Sequence, residues 1–215
     1  FHYSSDSYDL SSNSVRRLNE EKMNDKYSCF EELARSEIEG KHYQISSLDL
    51  CVSSCVIVAP HGGTIEPGSA EIARAVAADI FSWYLFESKR IYDDNYVSLH
   101  ITSHRFNEPV CMKLIERNDW VVTIHGCSDS EEIIYLGGLE KNLIAAVSSA
   151  LSSLGIPNSR NCDRFPGIKP NNLCNRGVQR KGLQVEISVP LREPAKCDLI
   201  ADGIRTGIIN FINTT

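Results

Sequence analysis

The chain has 215 residues, 42% of them hydrophobic, and 28 acidic against 22 basic side chains give a net charge of -6. That size and apolar content fit one folded domain with a real core and argue against a disordered chain. No apolar run approaches the ~20 residues that span a bilayer, and an acidic chain without a basic stripe argues against nucleic acid as a partner.

Residues 1–26 are rich in Ser, Asn, Asp and charge. They read as a polar N-terminal arm, with a short helical turn around Val15–Met23. The single folded domain is expected over 27–215. A helix follows over 28–39: Phe30, Leu33, Ala34 and Ile38 recur at helical spacing, Ser28 caps, Glu31 completes a capping box and Gly40 stops it. Tyr43–Ser47 reads as an edge strand and Val52–Ala59 as a central one. Ser69–Glu87 reads as one helix on the period of Ile72, Val76, Ile80, Trp83 and Tyr84. Val97–Ile101 is expected to be a strand. Asn107–Asn118 is expected to be a helix capped by Asn107, with Pro109 in its first turn. Trp120–Ile124 and Ile133–Leu136 are strands, and Leu139–Leu154 is an amphipathic helix closed by Gly155 and Pro157. Residues 158–181 form a long basic loop, which in a compact domain is usually functional. Leu183–Val189 is the last strand and Asp198–Asn213 the last helix. This alternation implies an α/β fold: three layers, helix–sheet–helix, around a mixed, mostly parallel sheet.

Eight cysteines (29, 51, 55, 111, 127, 162, 174 and 197) and the sequon Asn213-Thr214-Thr215 point to an oxidising compartment and a secreted protein. The start at Phe1 fits removal of a leader or a chosen boundary. A cytosolic protein with free buried thiols is the alternative.

The chemistry gathers at strand ends. The run Cys55–Ala59 stops at Pro60, followed by His61, Gly62, Gly63 and then Glu66. A second run from Trp120 ends in His125-Gly126. Open α/β sheets hold their ligands at such carboxyl ends. His61 and Glu66 stand five apart across two glycines, which lets the chain curl so that both side chains reach one point. Two histidines and a glutamate form a zinc set that leaves a position open for water. Read blandly, these are loop residues making ordinary hydrogen bonds. Glu186 lies amid apolar residues of the last strand. It either faces the site with a raised pKa or faces solvent on an alternating strand.

The stretches Tyr27–Leu33, Ala59-Pro60-His61-Gly62-Gly63-Thr64-Ile65-Glu66-Pro67-Gly68, His100–Pro109, Ile124-His125-Gly126, Asn175-Arg176-Gly177, Gly182–Ser188 and Leu191-Arg192 together resemble the phage-type poly-γ-glutamate hydrolases. These are zinc peptidases related in fold to the zinc carboxypeptidases. The resemblance spans about residues 27–213. It implies one zinc ion on His61, Glu66 and His125, Glu186 as general base and acid, and endo-type cleavage of γ-glutamyl amides. The anionic polymer calls for cations in the cleft: Arg176 first, beside Asn175, then Arg105, Arg192 and Arg164. His104 either contacts substrate or is structural, and His100 is expected to be structural. Unlike the family, this chain is rich in cysteine. A Cys162–Cys174 bridge would tie the basic loop, and Cys127 pairs with another cysteine or competes for the metal. A monomer is expected.

Three other readings stay open. They are a zinc amidohydrolase or exopeptidase on small acyl- or γ-glutamyl amino acids, a non-catalytic binding protein on the same scaffold, and a thiol hydrolase using Cys127.

Overall fold

The structure is a computed structural model that describes residues 25–51, 53–89, 92, 94–160 and 162–215. The expected arm lies outside the described residues up to position 24, and its helical turn lies wholly outside them. The elements in chain order are α1 (Phe30–Ser36), β1 (Tyr43–Leu48), β2 (Cys55–Gly62), α2 (Ser69–Ala77), β3 (Ser82–Ser88), α3 (Asn95–Leu99), α4 (Pro109–Ile115), β4 (Trp120–Gly126), β5 (Ile134–Gly137), α5 (Lys141–Ser153), β6 (Asn158–Ser159), β7 (Leu183–Ile187) and α6 (Cys197–Ile212).

The seven strands of the described residues form one sheet in the order β1-β3-β2-β4-β7-β5-β6. Neighbours β3/β2, β2/β4, β4/β7 and β5/β6 run parallel, while β1/β3 and β7/β5 run antiparallel. The sheet is therefore mixed and mostly parallel, as the alternation of elements implied. Parallel neighbours need crossovers, and the crossovers supply the outer layers.

Strand alternation divides the core in two. Cys55, Ile57, Ala59, Trp120, Val122, Ile124, Leu183, Val185 and Ile187 face α2, α5 and α6. Val56, Val58, Tyr84, Phe86 and Val121 face α1, α4 and the turn around Leu99–Phe106. Each fully buried Ile or Phe in these layers contributes roughly 1.5–3 kcal/mol.

The chain leaves β2 to form β3 on one side and then returns to form β4 on the other. The strand order thus reverses between β2 and β4. The crevice beyond the carboxyl ends of two such strands is where open α/β sheets bind ligands.

Two expected elements differ. Ser69–Glu87 is a helix, a turn and a strand, because Ala78 takes a left-handed φ of 46° and ends α2. The aromatic run after Phe81 then extends as β3. Val97–Ile101 is not a strand. Asp94 caps α3 by accepting a hydrogen bond from the Val97 amide at 3.0 Å, and His100 ends the helix. Caps also shift. Glu108, not Asn107, accepts from the Val110 and Cys111 amides at the start of α4. Cys29, not Ser28, is the N-cap of α1, and it is Glu32 that accepts from the Ser28 amide.

The cysteine reading is corrected as well. All eight thiols are free. Cys174 is buried with its thiol directed at the Gly167 carbonyl, 3.7 Å away, so the expected Cys162–Cys174 bridge is not formed. Disulfide pairing therefore lends no support to an oxidising compartment. Among the described residues no helix is long and apolar enough to cross a membrane.

Candidate active site

His61 and His125 are the next-to-last residues of β2 and β4, the two strands that flank the reversal of strand order. Both are 2% exposed. On β4, His125 follows Val121 and Thr123 onto the face opposite Ile124. On β2 the pairing to β3 shifts between Ala59 and Gly62, and this irregularity frees His61 from strict alternation. After it the chain curls back, the Glu66 amide donating to the His61 carbonyl at 2.9 Å. Gly68 closes the loop with a φ of 89°, a conformation natural only to glycine, and leads into α2.

These elements bring three polar side chains to one point. His61 Nδ1 lies 3.0 Å from Glu66 Oε1, His125 Nδ1 lies 3.4 Å from Glu66 Oε2, and the two ring nitrogens stand 3.2 Å apart. The second nitrogen of each ring is held elsewhere. His61 Nε2 donates to the Ile101 carbonyl at 2.8 Å, and His125 Nε2 lies 3.3 Å from Ser103 Oγ. A carbonyl only accepts, so the neutral His61 ring carries its proton on Nε2 and leaves a lone pair on Nδ1.

Burial alone would raise the Glu66 pKa, but the two imidazoles beside it outweigh burial and hold the carboxyl well below its usual range. Burial likewise opposes a charged His61 ring, and the Glu66 carboxylate reverses that effect and raises its pKa. The Gly126 amide adds a hydrogen bond to Glu66 Oε2 at 3.0 Å.

The donor set suits zinc. Tetrahedral zinc with bonds near 2.0–2.1 Å sets its ligand atoms about 3.3 Å apart, close to the 3.0–3.4 Å observed. His100 also presents a ring atom within 4.8 Å of those of His61 and Glu66. However, its Nδ1 is paired with Asp25 at 2.7 Å, and its ring stacks on Tyr96 at 4.4 Å and lies against His61 at 4.2 Å. An imidazole binds a cation in its own plane, whereas stacked rings offer their faces. His125 therefore fits the third position better, and His100 serves as the wall behind His61.

Glu186 stands next to His125 in the parallel pairing of β4 with β7, and opposite Tyr135 on the other side. Gln184, two residues earlier on the same face, donates to its carboxylate at 3.0 Å. Burial, together with the nearby Glu66 charge, pushes the Glu186 pKa up to about 7 against the pull of His125, Arg164 and Arg192. Arg164 is fixed by Asp129 at 2.7 Å and lies over the Phe165 ring at 4.5 Å, and Asp129 also accepts from Tyr135.

The other expected contacts are dispersed. His104 and Arg105 sit on the loop that supplies Ile101 and Ser103. Arg105 is exposed and 3.8 Å from Asp25. Asn175 is fully buried, its amide donating to the Gly167 and Lys169 carbonyls and accepting from Gly182 N–H, so it shapes the basic loop from within. Arg176 donates to the Phe106 carbonyl at 2.8 Å and lines a hollow with Met112, Glu116 and Arg180, apart from the His/Glu cluster. Arg192 turns its guanidinium to backbone carbonyls beside Gly126. A second hollow, about 480 Å³, opens beside the Glu66 loop between Thr64, Pro67, Glu71, Glu87 and Lys89. Sequence reasoning missed Ser103 and Gln184. Both lie in stretches that carry the resemblance, and Gln184 stands two residues before Glu186 on the same strand face.

The chain and its fold are similar to several known proteins. The chain is 35% identical over 170 residues to the SPbeta prophage-derived UPF0714 protein YoqZ of Bacillus subtilis (strain 168), a match that takes in 78% of this chain and 60% of that one. This chain thus spans less than two thirds of that relative's length. Among solved structures, a bacteriophage poly-gamma-glutamate hydrolase superposes with a TM-score of 0.83 at 28% identity, covering 89% of this chain and 100% of the other. A zinc-free YndL superposes with a TM-score of 0.77 at 28% identity, covering 88% and 98%. In fold alone, an N-formylglutamate amidohydrolase from Ralstonia eutropha JMP134 is similar at a TM-score of 0.51 and 14% identity, covering 80% of this chain and 98% of the other. Residues 27–198 match the sequence profile of the family described as Poly-gamma-glutamate hydrolase, and the chain belongs to that family.

Proposed function

We propose that this chain is a zinc-dependent hydrolase that cuts γ-glutamyl amide bonds inside poly-γ-glutamate, with one ion held by His61, Glu66 and His125. The observation that carries this reading is the convergence of His61 Nδ1, His125 Nδ1 and the Glu66 carboxylate within 3.0–3.4 Å, with Glu186 one strand away. Zinc, when bound, supplies Lewis acidity that polarises the scissile carbonyl and makes water a better nucleophile.

The protein's own groups do the rest. Ile101 and Ser103 hold the two rings so that Nδ1 of each points inward. Gln184 orients the Glu186 carboxylate. Glu186 accepts the proton of the attacking water and delivers it to the leaving amine. His104, Arg105 and Arg164 are the groups best placed to meet the free α-carboxylates of the polymer. Residues 27–215 act as a single hydrolase domain, functioning as a monomer outside the cell.

The test is incubation of the purified protein with poly-γ-glutamate, with and without chelator and with zinc restored, followed by sizing of the products. Zinc-dependent appearance of mid-length fragments supports the reading. Release of single glutamates alone would turn it to an exopeptidase. Cleavage only of small acyl- or γ-glutamyl amino acids would turn it to an amidohydrolase. No cleavage by the zinc-loaded protein would leave a binding protein.

A further inference from the structure

Arg192 is half-buried at the end of the short turn after β7, and its three bonded nitrogens go to three different segments. Nε donates to the Ile187 carbonyl at 2.9 Å, Nη2 to the Cys127 carbonyl at 2.9 Å, and Nη1 to the Pro67 carbonyl. Each acceptor lies one or two residues beyond a site residue: Pro67 follows Glu66, Cys127 comes two after His125, and Ile187 follows Glu186. These segments come from three separate strand ends, and they share this one side chain.

A guanidinium is a rigid planar fork, so it fixes the mutual positions of groups it bonds at once. We infer that Arg192 is a positioning residue. It locks the loops carrying Glu66, His125 and Glu186 to one another, and so sets the ligand and carboxylate geometry without touching substrate. This rests on the assignment of those three residues to the site.

Gly126 supports the inference independently. A Cβ at Gly126 would lie 2.6, 2.7 and 2.8 Å from Arg192 Cζ, Nε and Nη1. An arginine free to turn would move aside cheaply. One bonded to three carbonyls cannot move without breaking those bonds, so the backbone of β4 passes the fork only because it lacks a side chain there.

Two measurements decide it. The first compares wild type with Arg192→Lys and Arg192→Ala, reading zinc affinity by competition with a chromophoric chelator, together with kcat and KM. The expected result is zinc binding weakened at least tenfold and kcat lowered at least tenfold in Arg192→Ala, with KM within about twofold, and partial recovery in Arg192→Lys. The second is a thermal-unfolding cycle on the zinc-free protein with Gly126→Ala. That change should lower Tm by several degrees in wild type and much less in the Arg192→Ala background. A rise in KM with zinc affinity and kcat unchanged would make Arg192 a substrate contact and overturn the inference. So would a Gly126→Ala change that is silent in wild type, a readout that holds even if Arg192→Ala fails to fold. If the wild type binds no zinc, it is the proposed function that fails, and the Gly126→Ala cycle still tests the clamp.

Discussion

His61 and His125 turn the same ring atom, Nδ1, toward each other across 3.2 Å, and the opposite nitrogen of each is held by Ile101 or Ser103. Two lone pairs aimed at each other beside a carboxylate are stable only with a proton or a cation between them. His61→Ala and His125→Ala should therefore each lose zinc, by elemental analysis after gel filtration. Ser103→Ala, which frees only the outer nitrogen of His125, should weaken zinc binding 10–100-fold. Full zinc content in His125→Ala would shift the third ligand to His100.

Glu186 is buried beside His125 but outside the proposed ligand set. Glu186→Gln should keep zinc and lose roughly 10²–10⁴ in kcat, the usual share of a positioned acid–base group. Near-normal turnover in this variant would remove Glu186 from the mechanism.

The Cys127 thiol lies close to the site, but burial pushes its pKa up to about 11. At neutral pH almost none of it is thiolate, and the thiolate is the nucleophile. Cys127→Ala should keep most of the activity, because the contact to Arg192 uses the Cys127 carbonyl. Loss of turnover in this variant, with zinc retained, would revive the thiol-hydrolase reading.

Glu37 ties the segment around Lys26 and Tyr27 to the rest of the domain. It is 4% exposed and accepts from the hydroxyls of Tyr27 and Tyr92 and from Lys26 at 3.0 Å. Burial alone would raise its pKa, but these donors outweigh burial and bring it from 4.5 down to about 2. A lowered folded pKa contributes stability that is complete above the unfolded value. That stability fades as pH falls from about 4.5 toward about 2, and its ceiling is about 3 kcal/mol. Denaturant melts should show Glu37→Gln clearly less stable than wild type at pH 7, with the gap closing toward pH 3. A gap that stays constant with pH would count against the carboxylate as its source.

The sites of chemistry were easier to read than some of the elements that carry them. Strand runs that end in His-Gly pointed to β2 and β4, whereas alternation left Glu186 facing either the site or solvent, and only the pairing of β7 with β4 sets it beside His125. The stretch Ser69–Glu87 misled because its apolar period continues through Trp83 and Tyr84. Only the backbone shows that Ala78 breaks the helix. The stretch Val97–Ile101 misled because five residues with Val, Leu and Ile carry little periodic signal, and the cap at Asp94 decides it. The cationic contacts were the least legible. The resemblance, with its anionic substrate, named Arg176 and Arg192, but what each guanidinium bonds depends on carbonyls that the sequence does not reveal.

Asp25 gives the position of the chain's entry a practical meaning. Its carboxylate accepts from the Thr102 amide at 2.9 Å and from the Thr102 hydroxyl at 2.8 Å while pairing with His100. Trimming the protein to begin at Lys26 would leave every strand intact, yet it would withdraw the support beneath the ring that backs His61. Engineers who shorten this domain or fuse a tag to its front should stop upstream of Asp25.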